Sequence, residues 1–410
     1  MKSHYQIVIV GAGTGGIMTA SQLLRENPKL DIAIIDPAEN HYYQPAWTLV
    51  GAGTYDFEKT VRPMKTLIPD GAKWIQEAVS ELHPHESSVE LSNGMKIDYD
   101  YLILSPGLIY DYSMIEGLAE ALEKGVVCSN YIDPKHTWEC LKNFKGGNAI
   151  FTQPDTPIKC GGAPQKILYL AGDYFRKHGL LNKTNISFAT PGTVIFGIKK
   201  IADTLNKVLE RYHIDFKPLH SPVKIDPENK IVYFKKKKTN AQEGESGPDE
   251  LVEMPFDLLH LAPPQTAPDF VRKSELANEQ GWLDVNIHSM QHNKFDNVFG
   301  IGDVAGLPTA KTGAAIRKQA PVVVNNLLKI IAGKAADDHS YQGYSSCPLV
   351  TAYGKMVLAE FNYKNEFTPD PMLKSMLVFN SHKEHWRLWI LKKYILPYLY
   401  WNRMLKGKDV

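Results

Sequence analysis

Net charge is almost absent from this chain. Its 410 residues carry 46 Lys and Arg against 45 Asp and Glu, leaving +1. No broad electrostatic field argues for nucleic acid as a partner. The one dense basic run, Lys235-Lys236-Lys237-Lys238, reads as a solvated loop. Cysteine is scarce: Cys128, Cys140, Cys160 and Cys347 are all there is. Four are too few to staple a chain this long, and no pair has the CxxC spacing of a zinc ribbon or thioredoxin-like motif. No cluster of His, Cys and Asp has metal-ligand spacing either, so no metal is expected. Long hydrophobic runs are missing, since every apolar stretch falls short of the ~20 residues that span a bilayer. A strand starting at Tyr5 leaves no room for a signal peptide, so a cytosol-facing chain is expected, in which a disulfide is more often catalytic than structural. No short-period repeat occurs.

What is there is an α/β pattern. A continuous apolar strand over residues 5–10 runs into Gly11-Ala12-Gly13-Thr14-Gly15-Gly16, a helix follows over 17–25, and a second strand over 30–35 closes on Asp36. Gly11, Gly13 and Gly16 in this strand–turn–helix setting form a dinucleotide loop: the first permits the turn, the second lets backbone approach a pyrophosphate, and the third lets helix meet sheet. Asp36 stands where ribose hydroxyls would be bound. Two later segments decide between dinucleotides. Tyr99-Asp100-Tyr101-Leu102-Ile103-Leu104-Ser105-Pro106-Gly107 and Asn297-Val298-Phe299-Gly300-Ile301-Gly302-Asp303 resemble the later FAD signatures of the flavoprotein disulfide reductase superfamily. That resemblance implies FAD, with Gly107 in its cradle, Asp303 at the ribitol chain, and Thr312 and Gly313 near the pyrimidine end of the flavin.

A second α/β unit begins near Val126, without a second glycine loop. The strand over 148–152 continues into Gln153-Pro154-Asp155-Thr156-Pro157. Prolines lack the N–H donors that hold a diphosphate, and the acid would repel one. Thr190-Pro191-Gly192 ends the next strand without an acid for ribose. The chain is therefore not expected to take hydride from NADH.

In place of that loop stands Lys159-Cys160-Gly161-Gly162-Ala163-Pro164-Gln165-Lys166, and far downstream Tyr344-Ser345-Ser346-Cys347-Pro348-Leu349-Val350. With Val127-Cys128-Ser129-Asn130-Tyr131, Asn297 to Asp303 and Lys311-Thr312, this pattern resembles the sulfide:quinone oxidoreductases, in the subgroup that includes the mitochondrial enzyme. The resemblance covers the chain from Met1 to about Trp401. It implies that Cys160 and Cys347 form the redox centre, that Cys347 holds a persulfide, and that Cys160 is the thiolate facing the flavin. Hydrogen sulfide and a membrane quinone are the implied substrates, and a small sulfur acceptor takes the product. Thiol–disulfide exchange requires a thiolate at each end. Lys166 could stabilise one, and Lys311 would lie beside the flavin. Cys140 reads as a structural residue on a helix face; Cys128 is less clear, with structural packing favoured.

Residues 370–410 concentrate Trp386, Trp389, Tyr394, Tyr398 and Trp401 among Arg387, Lys392, Lys393 and Arg403. Aromatic and basic residues together favour a membrane interface. Pro397 is expected to split any helix there into two pieces. Peripheral, monotopic attachment on the cytoplasmic side follows, with Pro348, Tyr353 and Phe379 as candidate quinone contacts. The expected fold is α/β, with two Rossmann-like domains and a C-terminal membrane-interacting region. Residues 1–115 and 273–335 build the FAD-binding domain, 116–272 a second domain carrying Cys160, and 336–410 the appended region with Cys347. A homodimer stays open. The main alternative is a type II NADH:quinone dehydrogenase, and a non-enzymatic redox sensor is a remote one.

Overall fold

The computed structural model describes residues 2–238 and 249–409. Strand β1 (His4–Val10) buries Ile7, Val8 and Ile9 completely. Consecutive buried residues point to opposite faces, so both faces of the strand are covered, as a central parallel strand requires. It lies parallel to β2 (Ile32–Ile35) and β3 (Lys96–Leu104), with Val10 opposite Ile35 and Leu104. Helix α1 (Thr14–Glu26) links β1 to β2. Ala72–Ile75 extends the sheet beyond β2, the antiparallel pair Ser88–Leu91 and Val79–His83 extends it beyond β3, and Val298–Gly300 also pairs with β3. The chain thus returns to its first sheet some two hundred residues after leaving it.

The second sheet is parallel throughout. β4 (Val127–Cys128), β5 (Gly147–Thr152) and β6 (Leu258–His260) stand in the order β4–β6–β5, followed by Thr184–Ala189 and Asp215–Lys217. Helix α2 (Pro134–Asn143) follows β4, and α3 (Ala163–Lys177) follows β5 after a loop of ten residues. A three-stranded antiparallel sheet, His220–Asp226, Ile231–Lys236 and Glu250–Pro255, is inserted before β6. Lys235 and Lys236 are therefore strand residues rather than loop, because their backbones pair with Leu251 and Glu250. The polar, glycine-containing stretch over residues 239–250 reads from the sequence as a hairpin loop; Glu250 is already in the third strand, paired with Lys236, and residues 239–248 lie outside the described residues.

Helix α4 (Gly313–Ile331) returns to the first unit and packs on α1. The hairpin β7 (Ser345–Ala352) and β8 (Lys355–Phe361) then packs on α3, so Cys347 and Leu349 join the core of the second unit. The fold is α/β with two Rossmann-like units.

The last segment departs from expectation. Trp386–Ile390, Leu391–Ile395 and Leu396–Asn402 form one continuous helical run whose middle turn is a π-turn. Pro397 does not break it. It sits in the first turn after the wider π-turn, where a missing N–H costs least. Leu388, Trp389, Tyr400 and Trp401 are buried, whereas Trp386, Tyr394 and Tyr398 are exposed. Among the described residues no helix is long and apolar enough to cross a membrane.

Candidate active site

The loop after β5 climbs to Cys160, whose backbone adopts a left-handed conformation at φ 52°. A non-glycine residue held there signals constraint from its surroundings. That constraint comes from both units: the Cys160 N–H donates to Lys311 O of the first at 2.6 Å, and the Tyr131 hydroxyl of the second donates to Cys160 O at 3.3 Å. Gly162 then opens α3. A Cβ on Gly162 would lie 2.3 Å from Cys347 Sγ and 2.7 Å from Leu349 Cδ2, so only glycine lets β7 come this close. Two cysteines 187 positions apart become hydrogen-bonding neighbours.

Their chemistry is asymmetric. The Cys160 thiol is held well below its ordinary range, first by a hydrogen bond from Cys347, against the opposition of burial, and then by the charge and hydrogen bond of Lys166. Lys166 Nζ lies 2.9 Å from Cys160 Sγ, and the residue is buried. Burial disfavours the Lys166 charge, but the two sulfurs more than compensate and raise its pKa. Cys347 is pushed up, by the same hydrogen bond and by burial. Cys160 is thus the thiolate and Cys347 the thiol. The N-terminus of α3 has no side-chain cap. Ala163 N–H is taken by Cys160 O at 2.6 Å and Pro164 has none, so it is the helix's positive partial charge, which in a nucleotide-binding unit would meet a phosphate, that here meets sulfur.

Two further lysines reach this site without having been singled out in the sequence. Lys392, in the π-turn, is buried, donates to Pro45 O at 2.6 Å, and falls to about 7, because of burial and the Lys166 charge, while both cysteines favour its protonated form. Lys159 donates to Gln44 Oε1 at 2.7 Å and is lowered to about 8 by burial, with Asp303 and Cys160 opposing. Lys159 adjoins the cysteine and could have been picked out by that alone. Lys392, 232 positions from Cys160, carried no such signal.

The dinucleotide residues assemble around α1. Asp36 Oδ2 accepts from the Ala12 N–H at 2.6 Å and Oδ1 from Ala38 at 2.8 Å; burial nevertheless raises its pKa. A Cβ at Gly16 would meet Gly11 O at 1.9 Å, and one at Gly11 would meet Ser105 O at 2.3 Å, so both are packing glycines. Above Gly13 and Gly107 a Cβ would meet nothing within 4 Å. The first turn of α1 has neither a side-chain cap nor an acid. An open groove floored by glycines and facing free N–H groups fits the diphosphate of FAD. Thr312 caps α4, its Oγ1 accepting from Ala315 N at 3.3 Å and lying 3.0 Å from Ser345 Oγ, while Gly313 begins the helix. Asp303 is raised by burial, against the charges of Lys159 and Lys311. The Lys311 ammonium is turned inward, donating to Asp303 O at 2.7 Å and Ala305 O at 2.9 Å and lying 3.7 Å from the Trp282 ring centre, with its pKa lowered to about 8 by burial.

The three candidate quinone contacts lie on different segments of the chain. Pro348 adjoins Cys347. Tyr353 lies beyond the far end of β7, its hydroxyl donating to Ala52 O at 2.7 Å. Phe379 is exposed on a separate loop. Among the described residues one trio could hold a metal, Glu81, His83 and Glu90 on the first sheet's edge hairpin; spacing misses it because its members come from paired strands.

A flavin groove in the first unit and a thiolate–thiol pair at the head of a helix in the second define an FAD-dependent disulfide oxidoreductase. The family model for pyridine nucleotide-disulphide oxidoreductases matches residues 5–138. The mitochondrial sulfide:quinone oxidoreductase of Mus musculus is 40% identical over 408 residues, covering 99% of this chain and 87% of that protein. The corresponding protein of Dictyostelium discoideum is also 40% identical, over 100% and 87%. The solved sulfide:quinone oxidoreductase of Aquifex aeolicus superposes with a TM-score of 0.77 at 21% identity, covering 100% of this chain and 92% of that one. The chain belongs to the sulfide:quinone oxidoreductase family.

Proposed function

We propose that this protein oxidises sulfide to sulfane sulfur at Cys160 and Cys347 and delivers the electrons through FAD to a membrane quinone. The observation that carries the cysteine assignment is the Lys166 ammonium 2.9 Å from Cys160 Sγ, with Cys347 alongside. Starting from a Cys160–Cys347 disulfide, hydrosulfide attacks the Cys347 sulfur. The S–S bond breaks, Cys347 keeps the incoming sulfur as a persulfide, and Cys160 leaves with the electron pair as a thiolate. The sulfur with the lower pKa is the better leaving group, and Lys166 and the α3 N-terminus hold its charge. FAD, when bound, supplies the two-electron acceptor for that thiolate and donor to the quinone. Gly11, Gly13, Gly16, Asp36, Gly107, Asp303, Thr312 and Gly313 would hold it. Lys311 would act on it through the Asp303 and Ala305 carbonyls that it anchors.

A small sulfur acceptor would then collect the persulfide sulfur. The exposed Trp386, Tyr394 and Tyr398, with Arg387 and Lys393 beside them in the sequence, support peripheral attachment to a membrane surface from which the quinone enters. Pro348 is kept as a quinone contact because it adjoins Cys347. The NADH reading has against it a ten-residue loop with Pro154 and Pro157 where a glycine turn would be needed.

Cysteine replacement separates the two readings. Cys160→Ser and Cys347→Ser are each expected to cut sulfide-dependent quinone reduction by roughly 10³-fold or more, the scale on which losing a covalent catalytic group acts. If either variant keeps wild-type turnover with sulfide, the cysteine assignment is wrong.

A further inference from the structure

A second pair of thiols lies outside this site. β4 ends on Cys128, which is buried, with Sγ 3.5 Å from Leu259 O. Helix α2 packs over that strand end and brings the half-buried Cys140 close enough to Cys128 for each thiol to shift the other's titration. One turn back on α2, His136 Nε2 stands 3.4 Å from Cys140 Sγ and 3.1 Å from Gly125 O. The Cys140 thiol is lowered to about 7, first by the hydrogen bond from Cys128, against burial, with the His136 charge adding and Glu139 and Asp133 opposing. Cys128 is pushed up. One sulfur is thiolate-like and partly open, and the other is a buried thiol that keeps its proton. The catalytic pair has the same asymmetry.

We propose that Cys140 and Cys128 form a second dithiol centre that takes sulfane sulfur from polysulfides, with Cys140 as the attacking group and Cys128 as the resolving thiol. The Cys140 thiolate attacks the terminal sulfur of a polysulfide. The S–S bond of the chain breaks, Cys140 becomes a hydropersulfide, and the shortened polysulfide leaves with the electron pair. The Cys128 thiol then attacks the Cys140 sulfur. The persulfide bond breaks, its outer sulfur departs with the Cys128 proton as hydrogen sulfide, and a Cys128–Cys140 disulfide remains. Two thiols lose two electrons, and one sulfane sulfur is reduced to sulfide. The centre is connected to the active site, because three residues beyond Cys128 the Tyr131 hydroxyl holds the Cys160 carbonyl.

Peptide mapping tests this in FAD-loaded Cys160→Ser protein, so that the catalytic pair is silent and the result does not depend on the proposed turnover. The reduced protein is exposed to inorganic polysulfide at neutral pH, the free thiols are alkylated, and the chain is cut with trypsin. Cleavage at Lys124, Lys135 and Lys142 puts the two cysteines on separate peptides, 125–135 and 136–142. The expected product is these two peptides joined by a disulfide, absent when either Cys128 or Cys140 is also replaced by Ser. His136→Gln is expected to slow alkylation of Cys140 at neutral pH by roughly threefold or more. A single added sulfur on Cys140 without linkage would overturn the resolving role of Cys128. Both thiols unmodified after the exposure, or alkylation of Cys140 as slow as that of an ordinary thiol, would overturn the centre altogether.

Discussion

Lys166 adds to the hydrogen bond from Cys347 in holding charge on Cys160. A helix-opening lysine ordinarily faces water, yet here it is buried and bonded to Cys160. The consequence for pH has a definite sign. With Lys166 present the Cys160 pKa is depressed, so the thiolate persists as pH falls. In Lys166→Met that pKa rises. Sulfide-driven electron transfer should then drop roughly 10²-fold at neutral pH and recover as pH increases. Stopped-flow measurement of flavin reduction across pH reads this, and an unchanged profile would remove Lys166 from the account. Gly162→Ala is a second test at this scale. Its Cβ would sit 2.3 Å from Cys347 Sγ, so β7 must move. An expected cost of about 1–3 kcal/mol in stability should accompany loss of sulfide oxidation, read by thermal unfolding and turnover on the same sample. The cysteines and the glycines around them were legible in the sequence, because each lies in a short motif. Lys392 and the Cys128–Cys140 contact were not, since each depends on chain segments that only the tertiary fold brings together.

At the scale of elements, the parallel strands were readable because both faces are buried and their sequences are continuously apolar. Residues 5–10 were expected as a strand, and β1 runs over His4–Val10. The terminal helix was misread in one respect. Its aromatic content suggested a surface segment cut by Pro397, whereas the π-turn accommodates the proline and one face enters the core. Tyr400 shows what that face does. His41 is buried and lowered to about 4, hence neutral; its Nδ1–H donates to Ala12 O, and Nε2 accepts from the Tyr400 hydroxyl at 2.5 Å. Tyr400 in turn accepts from the Thr14 hydroxyl at 2.7 Å. The C-terminal helix thereby braces the glycine loop. Tyr400→Phe should weaken FAD retention several-fold while leaving the fold intact, as measured by flavin released on dilution and by circular dichroism. The same retention in both proteins would make the contact incidental.

For the whole molecule, each unit contributes one half of the proposed relay. The first sheet supplies the glycine groove, the second supplies Cys160, and the hairpin β7–β8 supplies Cys347. Cys160 N–H to Lys311 O ties the halves together. The terminal helix belongs to both, with Lys392 and Tyr400 inside and Trp386, Tyr394 and Tyr398 outside. Removing the whole tail would therefore damage the core as well as any membrane contact. Replacing Trp386, Tyr394 and Tyr398 together by Ser is the cleaner variant. It should reduce co-flotation with liposomes and turnover with long-chain quinones, and spare reduction of a short, water-soluble quinone. Undiminished flotation would place the membrane contact elsewhere.

The central claim is that sulfide enters electrons through the cysteine pair and that no nicotinamide does. Flavin absorbance of the purified protein, followed without oxygen after sulfide and separately after NADH, tests it most directly. The account predicts bleaching by sulfide, reversal by a quinone, and no response to NADH. Bleaching by NADH with none by sulfide would contradict it, and would return Cys160 and Cys347 to structural residues.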